Sequence, residues 1–184
     1  EVGQNWSLGT GWSIGEDKAI SDGTTGNLDQ DALTIGKSYK AQFTVSDLTT
    51  GALSFRLGGT NEIININSNG TYTAYGVADG ITLRLRSQSG FDGSITNISV
   101  KEVGMDWSTT VTSPNIVQFQ NDQVYLKRTV SAANELFQNS FTIGKTYKLQ
   151  IQANIVSDGI AIEGNGDLTR TNLISGTNTF YLTP

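Results

Sequence analysis

Hydrophobic and polar residues alternate one by one along several short stretches of this chain. The clearest stretches are residues 39–45, 53–57, 81–86 and 147–153, each with apolar side chains at every second position. A period of two is typical of a β-strand that buries one face and leaves the other in water. Turn signals such as Asn69-Gly70 separate the stretches. The pattern therefore predicts an all-β protein built of antiparallel β-sandwiches.

Parts of the sequence occur twice in the same order. The matches are LTIGKSYKAQFTV at 33–45 with FTIGKTYKLQIQA at 141–153, NWS at 5–7 with DWS at 106–108, and Gly70-Thr71 with Gly176-Thr177. A unit of about 100 residues has an ordinary domain size. We therefore predict two tandem domains of one type, residues 4–104 and residues 105–184. Residues 1–3 match residues 102–104 and are interpreted as the tail of a preceding repeat.

The second copy is shorter than the first. Its residues 177–184 correspond to residues 71–78, so the counterparts of residues 79–103 are missing. Those counterparts would include two predicted strands, and each aliphatic side chain left exposed without them costs about 1.5–3 kcal/mol. We therefore predict an incomplete second domain, and we expect its missing strands in residues after Pro184 or from a neighbouring chain.

The composition excludes several classes of function. The chain carries 12 Lys and Arg against 17 Asp and Glu, a net charge of −5, which disfavours nucleic acid as a partner. It has no His and no Cys, which excludes Ser–His triads, thiol chemistry and metals bound by imidazole or thiolate. No apolar run approaches the roughly 18 residues of a membrane span, so no membrane partner is expected. We therefore expect that the protein is not an enzyme.

Three segments of the chain carry a resemblance to a known family. They are NWSLGTGWSIGEDKAI at 5–20, LTIGKSYKAQFTV at 33–45 and FDGSITNISVKEV at 91–103. In this order they resemble the jelly-roll units, similar to carbohydrate-binding modules, that occur in tail and fibre virion proteins of marine bacteriophages. The resemblance covers the whole first copy and most of the second.

The resemblance implies a fold, a location and a set of partners. It implies tandem jelly-roll sandwiches in a virion appendage, outside cells, that serve as non-catalytic structural or adhesive repeats. The implied partners are other copies of the repeat in a homo-oligomer, other virion proteins and cell-surface polysaccharide. Two alternatives stay open: a carbohydrate-binding module of a secreted polysaccharide-degrading enzyme, and a repeat of an extracellular adhesin or filament.

Metal ligands are sparse in this sequence. Related carbohydrate-binding modules often hold a structural calcium ion with an Asp in the closing strand, but Thr96 stands at that position here, so no cofactor is predicted. Asp29 and Asp31 place two carboxylates on one side of an extended segment, and calcium takes oxygen ligands. Because no further acidic ligand is close in sequence, a solvated loop is the favoured interpretation. Asp29 and Asp31 stay candidates for a metal site; the pair could be mistaken for the carboxylates of a glycosidase, and no catalytic residue is predicted.

Sugar binding needs a flat aromatic face and planar polar groups that bind hydroxyls. Tyr75 recurs as Tyr181, which favours a place for both in the shared core. Tyr72 corresponds to Asn178, an exchange that favours the solvated face. Trp12 has no obvious counterpart in the second copy. The sequence therefore predicts Tyr72 and Trp12 as candidate platforms for glycan.

Three arginines are the predicted polar partners of these platforms. Arg56, Arg84 and Arg86 occupy the outward positions of two alternating stretches, where a guanidinium can bind sugar hydroxyls. The alternative interpretation is that Trp12 fills the edge of the sandwich and that the arginines are solvated strand residues.

Overall fold

The chain forms β-strands and turns throughout the part that the computed structural model describes. That part comprises residues 5–105, 107–120, 123–131, 134–139, 141–157, 159–164 and 169–183. Its strands are β1 (Ser7–Leu8), β2 (Trp12–Gly15), β3 (Lys18–Asp22), β4 (Asn27–Asp31), β5 (Ser38–Leu57), β6 (Glu62–Ile66), β7 (Gly70–Val77), β8 (Thr82–Val103), β9 (Ser108–Val111), β10 (Ile116–Gln120), β11 (Gln123–Lys127), β12 (Asn134–Phe137), β13 (Tyr147–Ala153), β14 (Ala161–Ile162), β15 (Thr171–Asn172) and β16 (Gly176–Leu182). The pairings between them are antiparallel. The predicted all-β class is confirmed, and the jelly-roll topology stays a prediction.

Two long strands, β5 and β8, organise the first part of the chain. The second half of β5 pairs with β6 on one edge and with the first half of β8 on the other, and β8 pairs in turn with β4. The first half of β5 pairs with β7 and with the end of β8. The first layer therefore contains β4, β6, the second half of β5 and the first half of β8, and the second layer contains β7, the first half of β5 and the end of β8. Both long strands run through the two layers of this sandwich-like fold, and β3 joins β8 between them.

The long strands change direction near their middle. The register between β5 and β8 shifts between Ser46 and Thr50 and again between Thr50 and Ala52. Gly51 lies at this point with a φ of 79°, and a Cβ atom there would collide with the backbone nitrogen of Phe91. Because glycine alone tolerates both the positive φ and this close approach, Gly51 allows the chain to cross from one layer to the other.

The core takes the apolar side chains of the alternating stretches. Phe43, Phe55, Leu53, Leu85 and Phe91 are fully buried. The ring centres of Phe43 and Phe55 lie 5.2 Å apart, so side chains from the two halves of β5 pack together in the core. Each such side chain stabilises the fold by about 1.5–3 kcal/mol, so the inward faces of these strands supply most of the stability.

The chain divides into two compact units, Glu1–Phe137 and Gln138–Pro184. Besides the sandwich-like part, the first unit contains the pairs β9–β12 and β10–β11, and β10 lies near β5 and β7. The second unit contains the pairs β13–β16 and β14–β15. The units divide the chain by its contacts, whereas the predicted domains divide it by its repeat after residue 104. The domain boundaries taken from the repeat stay a prediction.

The repeated TIGK segment has the same local structure in both copies. Four hydrogen bonds match: Thr34 N to the Tyr39 hydroxyl at 2.9 Å and Thr142 N to the Tyr147 hydroxyl at 2.8 Å, Lys37 N to Thr34 O at 3.2 Å and Lys145 N to Thr142 O at 3.2 Å. The glycine of each turn has nearly the same φ, 81° at Gly36 and 79° at Gly144. The turn is therefore determined by the motif itself.

The hairpins that contain this motif also pair in the same register. The β5–β7 ladder runs from Ser38–Val77 to Val45–Gly70, and its seven pairs from Tyr39–Gly76 onward correspond to the seven pairs of β13–β16, which run from Tyr147–Leu182 to Ala153–Gly176. The two copies differ in numbering by 147 − 39 = 108 on the first strand and by 182 − 76 = 106 on the second, at each of these seven pairs. The two hairpins are therefore one structure repeated at the positions that the sequence aligns.

Candidate functional site

The three candidate arginines lie together on one outward surface of the first layer, which we call the arginine face. Arg56 of β5 lies opposite Arg84 of β8, and Arg86 follows two residues later on β8. Side chains two residues apart on a strand share a face, so Arg84 and Arg86 point the same way. Their partners on β4 are Asp29 and Asn27. The structure therefore brings together the arginines that the sequence predicted.

Arg84 is bound by Asp29 within the protein. Its Nε donates to Oδ1 of Asp29 at 2.9 Å and its Nη2 donates to Oδ2 at 2.8 Å. The side chains of Arg84 and Asp29 are only 27% and 22% exposed. These hydrogen bonds raise the pKa of Arg84 above its ordinary value. A bidentate pair of this kind fixes both groups, so Arg84 serves the pairing of β4 with β8.

Arg56 is also engaged by its neighbours. Its Nε donates to Oγ of Ser54 at 3.1 Å, and Glu62 lies opposite it on β6. The pKa of Glu62 is lowered by its hydrogen bond with Ser54 above all, and further by Asn65, Gln88 and the charge of Arg56. Gln88 Nε2 donates to Oε2 of Glu62 at 3.0 Å. In this part of the arginine face the polar side chains form hydrogen bonds with one another.

Arg86 differs from the other two arginines. Among the residues that the structure describes, no hydrogen bond or ion pair engages its guanidinium. It lies between Ser54 of β5 and Asn27 of β4 and is partly exposed. A guanidinium in such a place presents donors in a fixed plane to an incoming carboxylate, sulfate or hydroxyl. The arginine face therefore offers Arg86 to a ligand, while Arg56 and Arg84 hold the surface together.

Trp12 does not lie at the surface. Its side chain is 6% exposed, and its ring stacks on Phe91 with centroids 6.1 Å apart. Its indole Nε1 is buried and has no acceptor in the described part of the chain. This burial contradicts the prediction that Trp12 is a glycan platform, since a ring packed in the core has no face left for a sugar.

Tyr72 and Tyr75 lie on opposite faces of β7, and each is on the face opposite to the predicted one. Tyr72 packs against the core, with its ring centre 6.1 Å from that of Phe43, and its hydroxyl donates to the carbonyl oxygen of Ser68 at 2.7 Å. Tyr75 lies opposite Lys40, whose Nζ is 5.5 Å from the centre of its ring. Positions separated by three residues cannot share a face of a strand. Tyr72 therefore packs inward, and Tyr75 is the outward aromatic residue.

The exchange of Tyr72 for Asn178 indicated solvent, but Asn178 is itself buried and only 8% exposed. Its Nδ2 donates to the carbonyl oxygens of Ile174 at 2.8 Å and Gly176 at 3.1 Å, and its Oδ1 accepts from the Ile174 backbone nitrogen at 2.9 Å. A buried amide is tolerated when its hydrogen bonds are made. The exchange therefore replaces ring packing by backbone hydrogen bonds on the same inward face.

Asp29 and Asp31 lie on one face of β4, as their spacing predicted. Asp29 is bound to Arg84, and Oδ1 of Asp31 accepts from the hydroxyl of Thr82 at 2.7 Å. Across the described ranges, no three His, Cys, Asp or Glu side chains are grouped so that they could hold a metal ion. Both carboxylates therefore contribute to the contact between β4 and β8.

A shallow depression of about 200 Å³ lies on the outward face of the second layer. Lys40, Gln42, Ser99 and Lys101 line it, because Lys40 lies opposite Lys101 and Gln42 lies opposite Ser99 on neighbouring strands. Tyr75 flanks Lys40 on the other side. An aromatic ring, two ammonium groups, an amide and a hydroxyl thus meet on one surface. The sequence prediction missed this surface, although Lys40 and Gln42 recur in the second copy.

A second cavity of about 140 Å³ lies beside the core. Its lining consists of Trp6, Gln30, Ala32, Leu83, Ile98 and Val100. Small-molecule sites commonly measure roughly 300–1,000 Å³. Both cavities are smaller than that, so contact along a strand face suits this protein better than enclosure of a small molecule.

No protein-family model matches this chain, and no curated protein is similar to it in sequence. The described residues contain no helix with the length and hydropathy needed to cross a membrane. Function is therefore inferred from the strand faces and from the repeat.

Proposed function

We propose that this chain is a non-catalytic structural or adhesive repeat of a bacteriophage virion appendage, and that it contacts glycan on the host surface. One observation supports this proposal most: the hairpins β5–β7 and β13–β16 repeat the same turn, the same register and the same tyrosine hydrogen bond. Tandem copies of one module multiply weak contacts with a repetitive polymer. The resemblance of residues 5–20 and 91–103 to tail and fibre units supports the virion setting.

The outward strand faces support contact with a polymer. Arg86 on the first layer and the depression around Lys40 and Gln42 on the second present donors and acceptors on open, shallow surfaces. A polysaccharide lies along such a surface without being enclosed. The expected affinity of one module is low, with a Kd on the order of 0.1–1 mM, and tight attachment comes from multivalency.

Binding to cells before and after oxidation of their sugars tests this function. The purified chain, labelled with a fluorophore, is added to a panel of bacterial strains with and without periodate treatment, which cleaves vicinal diols. We expect binding to at least one strain and its loss after oxidation. Absence of binding across the panel, or binding that periodate leaves unchanged, would contradict the proposal.

A polysaccharide turnover assay distinguishes the adhesive repeat from a hydrolase. We expect that the purified chain releases no reducing ends from any polysaccharide that it binds, because Asp29 is engaged by Arg84 and Asp31 by Thr82. The matched controls are Asp29→Asn and Asp31→Asn. Turnover by the natural chain that either substitution abolishes would show a catalytic carboxylate pair instead.

A further inference from the structure

The two copies of the hairpin agree on their outward face. The outward pairs that the register aligns are Lys40 with Lys148, Gln42 with Gln150, Thr44 with Gln152, Thr71 with Thr177, Thr73 with Thr179, and Tyr75 with Tyr181. Five of these six pairs are identical, and the pair of Thr44 with Gln152 is the exception. The alternation of exposure along both strands of each hairpin places these residues away from the core.

The inward faces of the same hairpins differ. The inward pairs are Tyr39 with Tyr147, Ala41 with Leu149, Phe43 with Ile151, Val45 with Ala153, Gly70 with Gly176, Tyr72 with Asn178, Ala74 with Phe180, and Gly76 with Leu182. The identical pairs are those of Tyr39 and Gly70. The hydroxyl of Tyr39 accepts the turn hydrogen bond, and Gly70 has a positive φ, so a structural cause accounts for both.

This distribution is the reverse of what stability alone would preserve. Substitutions at exposed strand positions change the free energy of unfolding little, whereas inward positions are constrained by packing. Tyr181 is 70% exposed and Gln150 is exposed as well, yet both match the first copy. Exposed polar and aromatic residues that are retained in this way indicate contact with a partner.

The retained groups share the chemistry of sugar recognition. Nζ of Lys40 lies over the ring of Tyr75, 5.5 Å from its centre, so an ammonium group and an aromatic ring lie together. An aromatic ring packs against the C–H groups of a pyranose. Gln42 and the two threonines add an amide and two hydroxyls, which pair with sugar hydroxyls as donors and acceptors. In the first copy Lys40 and Gln42 line the depression that Lys101 and Ser99 complete.

We propose that this repeated face is the saccharide contact of each copy, so that one chain carries two equivalent sites for the same repeating sugar unit. The repeated face comprises Lys40, Gln42, Thr71, Thr73 and Tyr75 in the first copy, and Lys148, Gln150, Thr177, Thr179 and Tyr181 in the second. The proposal rests on the proposed function, since it names the surface through which the chain contacts glycan. It assigns a supporting role to the arginine face.

The test uses the full chain on an array of bacterial surface polysaccharides, followed by biolayer interferometry on the polysaccharide that binds. The variants are Tyr75→Ala, Tyr181→Ala and both together, with Tyr75→Phe and Tyr181→Phe to retain the ring. Gln42→Ala combined with Gln150→Ala removes an amide instead of a ring and replaces the tyrosine variants if these unfold. Thr44→Gln is the matched control, because it gives the first copy the residue that the second already has.

Two equivalent sites predict a particular pattern of losses. Each single Tyr→Ala variant weakens the apparent affinity by about 100-fold, because the remaining site binds without avidity, and the double variant does not bind. The Tyr→Phe variants and Thr44→Gln bind like the natural chain. Thermal unfolding of every variant is measured alongside, so that a loss of binding without a loss of folding is identified.

Three contrary outcomes are distinguishable. If the natural chain binds no polysaccharide on the array, the proposed function fails and this inference fails with it. If the natural chain binds and the double variant binds equally well, the repeated face is not the contact and the proposed function stands. If the double variant loses self-association measured by light scattering but retains polysaccharide, the repeated face is a contact between chains, and the inference is overturned.

Discussion

The hairpin β5–β7 in the first unit and the hairpin β13–β16 in the second share a turn and a register, but their inward faces are buried to different degrees. Phe43 is 0% exposed, while Ile151 at the same position of the second copy stays partly exposed. In the first unit β5 is paired on both edges, with β7 and with β8. In the second unit β13 pairs with β16, and no further strand of the described residues borders it.

The difference separates what a local sequence determines from what it does not. The TIGK turn, the tyrosine hydrogen bond and the ladder register occur in both copies, so a short motif suffices for them. Phe43 is completely buried in the hairpin whose strand β5 also pairs with the distant strand β8, and no described strand pairs with the second hairpin in this way. Substitutions in the turn should therefore act equally in the two copies, and substitutions on the inward face should act unequally.

The largest expected effect is on the inward face. Phe43→Ala should lower the free energy of unfolding of the first unit by about 3–5 kcal/mol, because it opens a cavity in a closed core. Ile151→Ala should cost less than about 2 kcal/mol, since its side chain is already partly in contact with water. Native-state hydrogen exchange measures each hairpin separately. Equal losses in the two hairpins would contradict the expected difference in burial.

The turn glycines should show the opposite behaviour. Gly36→Ala and Gly144→Ala each place a side chain at a φ near 80°, with nothing within 4 Å of the new Cβ atom. The backbone strain of a left-handed residue costs about 1–2 kcal/mol and depends on no distant strand. We expect the same loss for both variants in the same exchange experiment. A much larger loss in one copy would show that the turn depends on its surroundings.

The smallest expected effect is the response of the two units to acid. Hydrogen bonds lower the pKa of Asp22, Asp47 and Glu62, through Thr24, Ser94 and Ser54 respectively as the largest causes. All three carboxyl groups belong to the first unit. A lowered pKa adds stability that is present above the ordinary value, 4.5 for Glu62, and that is lost as the pH falls toward the folded value.

Urea denaturation at several pH values, with hydrogen exchange to separate the units, measures this response. The first unit should lose stability as the pH is lowered from 5 toward about 3, since reference carboxyl pKa values lie near 4. The matched control is Glu62→Gln, which removes one of these titrating groups and should flatten the profile. A profile of the first unit that stays flat over this range would contradict the assigned hydrogen bonds.

The alternation of residues predicted the strands and most inward faces, because the period of two is a direct consequence of strand geometry. It predicted residues 39–45 and 53–57 as separate strands, whereas the structure joins them in β5 through a bend at Gly51. A bend of this kind depends on the close approach of Phe91 to Gly51. Phe91 belongs to β8 and lies 40 residues further along the chain than Gly51 (91 − 51 = 40). Local periodicity contains no information about that approach.

The candidate site was predicted only in part, and the reasons are physical. The outward arginines follow from alternation, and the structure brings them together. Trp12 lies inward because it packs on Phe91, a contact that no local pattern reveals. Tyr72 and Tyr75 were placed on the wrong faces because recurrence was interpreted as burial. In these hairpins most of the residues that recur between the copies lie on the outward face. Tyr72 and Tyr75 are three residues apart on β7, so their side chains point to opposite faces.

The most direct test of the central claim, that the repeated face contacts saccharide in both copies, is a map of amide chemical shifts. Fragments of the polysaccharide that binds are titrated into the isotope-labelled full chain. We predict shifts at Lys40, Gln42 and Thr73 together with their counterparts Lys148, Gln150 and Thr179, saturating with a Kd on the order of 0.1–1 mM. Shifts confined to Arg86 and its neighbours, or to one of the two copies, would contradict the account.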